Sequence, residues 1–176
     1  MKIGRTKLEV ISGDITKLDV DAVVIPANDM LWTGGGVSAL IRREGGASIE
    51  VEAMTKAPAP MGSAVVTGAG DLPARRVIHA VISGQDLVTS ENNVRSAVGS
   101  SLAKADETKS LSVAVPLLDS ASFDVEIHVA ANIIVDEAVN YLLAKKSGLE
   151  RIVFVEHDTA LKGIFDTALH EKFTRH

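Results

Sequence analysis

Apolar residues fall along the chain in two patterns that take turns. Short runs read as strands: Leu8-Glu9-Val10-Ile11, Ala22-Val23-Val24-Ile25, Ser63-Ala64-Val65-Val66-Thr67, Val77-Ile78-His79-Ala80-Val81-Ile82, Ser112-Val113-Ala114-Val115-Pro116 and Arg151-Ile152-Val153-Phe154-Val155. Their nearly continuous apolar character suits strands of a sheet covered on both faces. Between them apolar residues recur at helical spacing. Val94, Ala97, Val98, Ser101, Leu102 and Ala105 form one such stripe, and Ile164, Ala168 and Leu169 another. The pattern predicts helices over residues 37–45, 48–57, 92–105, 125–146 and 159–173. Pro58 and Pro60 stop the second. Ser12-Gly13-Asp14 reads as a turn opening a short helical segment capped by Asp14 or Thr16. Pro26 is expected to break the second strand.

Strands alternating with helices predict an α/β layered sheet with helices on both sides. In such sheets ligands bind beyond the carboxyl ends of the strands. Three stretches with chemical character follow strands: Asp14, then Asn28 with a glycine turn, then the loop over residues 119–123.

The glycine turn is Gly34-Gly35-Gly36, followed by Val37 at the start of a helix. Residues without Cβ let backbone N–H groups converge and let a ligand approach closely. A helix N-terminus behind them favours an anion, most often a phosphate. A flexible connection between strand and helix is the other reading of the same glycines. Neither Gly-x-x-x-x-Gly-Lys-Ser/Thr nor Gly-x-Gly-x-x-Gly is present. The convergence of Asp14, Asn28 and the 119–123 loop on strand ends favours the phosphate reading.

Composition narrows the choice. A chain of 176 residues with 46% hydrophobic residues is expected to form one domain, residues 1–176, with a substantial core. Aromatics are 3%, so Val, Ile, Leu and Ala must build that core. No cysteine is present, which removes disulfides and thiolate ligands. The net charge of −5 argues against general capture of nucleic acid. It leaves room for a small anion held by backbone N–H groups. No apolar signal core follows Met1-Lys2-Ile3-Gly4-Arg5, and no apolar run is expected to approach the ~18 residues of a membrane span. A soluble cytoplasmic protein without membrane association is the expectation. His79, inside an apolar strand, reads as a hydrogen-bonded core histidine, with no second His or Cys at metal-ligand spacing. No metal site and no cofactor are expected.

The order of these pieces resembles the macrodomain family, the ADP-ribose-binding module. The residues that carry the resemblance are Gly13-Asp14-Ile15-Thr16, Asp21-Ala22-Val23-Val24-Ile25-Pro26-Ala27-Asn28, Gly34-Gly35-Gly36-Val37, Val77-Ile78-His79, and Val115-Pro116 with the loop after it. The resemblance implies a three-layer α/β/α sandwich around a mixed, mostly parallel sheet. It implies that Asp14 accepts from the adenine amino group and that the Ile15 N–H faces the ring. Asn28 is implied at the distal ribose, as the catalytic residue that orients a water. Gly34, Gly35, Gly36 and Val37 are implied along the diphosphate, with Ser120, Ala121, Ser122 and Phe123 closing from the other side. ADP-ribose or an ADP-ribosylated protein is the implied partner.

Several positions depart from the family pattern. Ile25 stands where the family commonly has Asn, and Ser38 where one hydrolase branch has an Asp that positions water with the Asn. Ala121 and Asp124 stand where Gly is preferred, and Asp119 and Asp124 add negative charge beside the implied diphosphate. The implied activities are binding of ADP-ribose or derivatives such as mono-ADP-ribose and O-acetyl-ADP-ribose, with slow metal-free hydrolysis. Hydrolysis of a phosphate monoester lacks the clustered acids or histidines it needs. A macrodomain fold acting as an interaction or assembly module is the remaining alternative.

Overall fold

The computed structural model describes residues 1–118 and 125–175. Among these residues a seven-stranded sheet is built from β1 (Lys2–Ile3), β2 (Thr6–Ser12), β3 (Ala22–Asn28), β4 (Ala64–Gly68), β5 (Arg76–Ser83), β6 (Ser112–Val115) and β7 (Arg151–Glu156). The spatial order is β1-β2-β7-β6-β3-β5-β4. The five inner strands run parallel, and the edge strands β1 and β4 run antiparallel to their neighbours.

The helices are α1 (Gly36–Gly45), α2 (Ser48–Thr55), α3 (Glu91–Glu107), α4 (Ile127–Ala144) and α5 (Thr159–Thr174), with a 3₁₀ turn at Ile15–Lys17. Alternation along the strands sorts side chains into two cores. Ala22, Val24, Ile78, Val113, Ile152 and Phe154 face α3, α4 and α5. Val23, Ile25, Val77, Ala114, Val153 and Val155 face the layer that holds Ile41 and Ile49 of α1 and α2. The result is the three-layer sandwich that the runs predict.

Two expectations need correction. Pro26 does not end its strand, because β3 continues to Asn28 and stays in register with β5 through Ala27. The partner on its other side, β6, pairs only as far as Val23. Pro26 therefore lies beyond that ladder, where a missing N–H removes no strand bond. The second concerns apolar length: α4 is long and apolar enough, by length and composition, to cross a membrane. Its polar interruptions had hidden this in the sequence. One of them, Asp136, accepts from Arg95 of α3 at 2.7 Å and from Lys172 of α5, tying three helices together. Ala131, Ile134, Val135 and Ala138 of α4 are buried in the core.

Candidate functional site

The parallel strands deliver their carboxyl ends to one edge of the sheet, and the candidate residues gather there. After β2 the chain turns through Gly13, whose N–H donates to the Glu156 carbonyl of β7 at 3.0 Å. Asp14 then caps the 3₁₀ turn. Its Oδ1 accepts from the Thr16 N–H at 2.9 Å and from the Thr16 hydroxyl at 2.6 Å. The Thr16 hydroxyl bond, helped by the backbone bond and Lys17, holds the carboxyl below its ordinary range, so it is ionised at neutral pH. The cap uses one oxygen, so Oδ2 remains for a ligand donor.

After β3 the chain leaves through a bulge. The register with β5 shifts between Ala27 and Asn28, re-aiming the Asn28 side chain. That side chain is 4% exposed. Its Nδ2 donates to the Trp32 carbonyl at 2.9 Å. Its Oδ1 accepts from the Met30 N–H at 3.1 Å and from Gln85 Nε2 at 3.3 Å. Gln85 also donates to Asp29 at 2.6 Å and accepts from the Trp32 indole at 2.7 Å. The amide of Asn28 thus anchors the loop that leads to the glycines.

Gly35 stands at the N-cap of α1 without a side-chain cap, and Gly36 opens the helix with φ +60°. Only glycine takes that conformation without strain. A Cβ built on Gly34, Gly35 or Gly36 meets no heavy atom within 4 Å, so the loop is open on that side. The N–H groups that begin α1 have no partner within the helix and carry its positive end.

These pieces meet in a cleft of 180 Å³. Its walls come from four strand ends: Gly13, Asp14 and Ile15 after β2, Gly36, Val37 and Leu40 after β3, Pro116 after β6, and Val155, Glu156 and His157 at the end of β7. Of the residues expected at the site, Asp14, Ile15, Gly36 and Val37 are brought together. Gly34 and Gly35 precede them in the same loop, while Asn28 lies outside the cleft wall. Ser120, Ala121, Ser122 and Phe123 lie outside the described residues, as do Asp119 and Asp124. Glu156 and His157 were missed. Being at the end of a buried strand, they were recoverable from the strand-end rule alone. Glu156 Oε1 accepts from the Leu117 N–H at 2.8 Å, which fixes the start of the loop after β6.

Two further polar residues take structural positions. Ser38, 8% exposed, donates its hydroxyl to the Pro26 carbonyl at 2.8 Å. His79, 5% exposed, meets the Thr67 hydroxyl through Nε2 at 2.9 Å, and that hydroxyl donates to the Gly68 carbonyl. With the hydroxyl proton so used, the Nε2 of His79 is the donor. Burial pushes its pKa down to about 4, so the ring is neutral. This is the hydrogen-bonded core histidine that its strand position suggests. Among the described residues no group of three or more His, Cys, Asp or Glu is placed to hold a metal ion.

Known proteins are similar to this chain in sequence and in fold. A protein of Aquifex aeolicus is 37% identical over 163 residues, covering 92% of this chain and 97% of its own. The ADP-ribose glycohydrolase MACROD1 of Rattus norvegicus is 34% identical over 173 residues, covering 95% of this chain and 66% of that protein. The chain spans about half the length of mycobacterial relatives that it matches, 46% of the Mycobacterium tuberculosis one. In three dimensions the Trypanosoma brucei macrodomain in complex with ADP-ribose superposes with a TM-score of 0.83 at 23% identity, over 92% of this chain and 68% of that one. The family profile described as Macro domain matches residues 24–134, which contain Asn28, the glycine turn, β5 and β6. The chain belongs to the macro domain family.

Proposed function

We propose that the cleft binds ADP-ribose, free or as the ADP-ribosyl group on a protein side chain. The observation that carries this reading is the meeting of Asp14 and Ile15 with Gly36 and Val37 in one cleft. A carboxylate at one end accepts from the adenine amino group, and the Ile15 N–H faces the ring edge. At the other end the open glycine loop and the start of α1 present N–H donors to the diphosphate, which calls for no lysine or arginine. Ser120, Ala121, Ser122 and Phe123, which the resemblance implies on the other side of the diphosphate, lie outside the described residues. The rat relative's name as an ADP-ribose glycohydrolase and the ADP-ribose complex of the trypanosomal macrodomain support the choice of ligand.

We infer that release of the ADP-ribosyl group, or of acetate from O-acetyl-ADP-ribose, is slow. Asn28, which the resemblance implies at the distal ribose, can accept no proton from a water, and its amide is bonded to Trp32, Met30 and Gln85. Ser38 donates its hydroxyl hydrogen bond to the Pro26 carbonyl and is no base at neutral pH. Where neither of these two residues takes the proton, such a rate falls by about 10²–10⁴-fold. Thermal unfolding tests the binding reading. ADP-ribose raises the melting temperature, while NAD raises it little because its nicotinamide stands where the distal ribose must be free. An unchanged melting temperature at millimolar ADP-ribose removes the reading and leaves the interaction-module alternative.

A further inference from the structure

Glycine adopts many backbone conformations, so a run of three glycines holds one shape only if its two ends are fixed. Side-chain packing does not fix this one, since a Cβ on Gly34, Gly35 or Gly36 meets no heavy atom within 4 Å. The entry to the run is the peptide unit between Trp32 and Thr33. Its carbonyl accepts from Asn28 Nδ2 at 2.9 Å, and its N–H donates to Glu50 Oε2 at 2.5 Å. With both polar ends of one planar unit bonded, its orientation is set, and with it the direction in which the chain enters Gly34. The exit from the run is α1. There Arg42 donates from Nε to Glu50 Oε1 at 3.1 Å. One carboxylate of α2 thus holds the residue before the glycines and the helix after them.

Glu50 stands in the first turn of α2, where the positive end of the helix favours a carboxylate. Its side chain is 20% exposed. Hydrogen bonding from Thr33, through its side chain and its N–H, with Arg42 adding to it, holds the carboxyl below its ordinary range. It is therefore ionised at neutral pH and a strong acceptor. A negative charge near the loop works against an anion bound there, and the Arg42 guanidinium offsets it. A simple tie between α1 and α2 is complete with the Arg42 bond. The Thr33 bond goes instead to the backbone of the loop.

We propose that Glu50 is a positioning residue for the glycine loop, setting the peptide that aims the N–H groups of residues 34–36 at a diphosphate. The proposal rests on the functional reading above. Glu50 is not in the cleft wall, so it acts through the loop and not on the ligand. Without it the Trp32 carbonyl keeps its bond to Asn28, while the Thr33 N–H turns to water and the donors after it lose their common aim.

The test titrates the whole chain with ADP-ribose, which reaches the loop, and with adenosine, which carries no phosphate. Glu50→Ala should weaken ADP-ribose about tenfold, as expected for loss of one hydrogen bond to a charged group. Adenosine should stay within about twofold, because Asp14 and Ile15 are untouched. Glu50→Gln keeps an acceptor for the Thr33 N–H and gives up the ion pair with the half-exposed Arg42. Such a pair contributes little, so this variant should recover ADP-ribose affinity to within about threefold of wild type. Trp32, the single tryptophan, reports on the same peptide unit without ligand. Its emission should shift in the alanine protein and return in the glutamine protein. An alanine protein that binds ADP-ribose as wild type does overturns the proposal and spares the functional reading. One that fails to fold, or that loses ADP-ribose and adenosine alike, makes Glu50 a structural tie and overturns it too. A wild-type protein that takes up no ADP-ribose removes the functional reading and the proposal with it.

Discussion

The Ser38 hydroxyl donates to the Pro26 carbonyl at 2.8 Å, across the seam between α1 and β3. The bond fills the acceptor that Pro26 exposes where β6 no longer runs beside it. Ser38→Ala leaves that partly buried carbonyl without its partner and should lower stability by about 0.5–1.5 kcal/mol in denaturant unfolding. ADP-ribose affinity should stay within about twofold.

Ser38→Asp places a carboxylate against the same carbonyl. Burial raises the pKa of such a group, and only its protonated form can donate to Pro26. The variant should therefore be less stable than Ser38→Ala at neutral pH and recover as pH falls through that raised pKa. Unfolding curves at neutral and acid pH check this. A variant as stable as wild type at neutral pH would show that residue 38 can turn its carboxylate to the cleft, where it would serve as the missing base.

Asp14 is given two tasks that substitution can separate. Asparagine keeps the N-cap for Thr16, whereas alanine removes it at about 1 kcal/mol. Both remove the charge proposed to select adenine, and both should weaken ADP-ribose binding by about 1.5–3 kcal/mol. Measuring affinity and unfolding on the two variants distinguishes the tasks. An Asp14→Asn protein that binds as tightly as wild type contradicts the adenine role.

His79 makes stability depend on pH. Its folded-state pKa, about 4, lies below the ordinary 6.5 because burial disfavours the cation. The unfolded chain then binds the extra proton first, so stability is complete above 6.5 and is lost as pH falls towards 4. A depression of that size is worth on the order of 3 kcal/mol at the acid end. Replacing the ring by a group that cannot titrate, His79→Gln, should flatten the curve in the upper part of this window. Below it the carboxylates Glu9, Glu50, Glu52 and Asp136, all held below their ordinary range by bonds or nearby cations, add their own acid sensitivity. An unchanged slope in the variant would assign the dependence elsewhere.

The parallel strands were legible in the sequence because each is a continuous apolar run, and their ends mark where Asp14 and the glycine loop meet. The edge strand β1 was not: two residues, Lys2 and Ile3, carry no periodicity. Pro26 misled because the rule against proline in strands assumes partners on both sides. Asn28 was singled out by its place in a motif, but its bond to Gln85 joins residues far apart in the chain, and such a pairing leaves no periodic trace. The spacing located Ser38 on α1 without telling that its hydroxyl turns to a strand carbonyl. Glu156 and His157 were within reach, as the last residues of a buried strand and its first loop position.

The most direct test is a calorimetric titration of the whole chain with ADP-ribose, run beside AMP, ADP and NAD. The account predicts one site that takes ADP-ribose most tightly, ADP and AMP progressively less, and NAD poorly. That order follows from an adenine end at Asp14, a diphosphate at the loop of Gly34, Gly35 and Gly36, and a distal ribose that must be free. ADP-ribose binding no better than AMP would show that the glycine loop holds no diphosphate. No heat with any of the four would contradict the central claim.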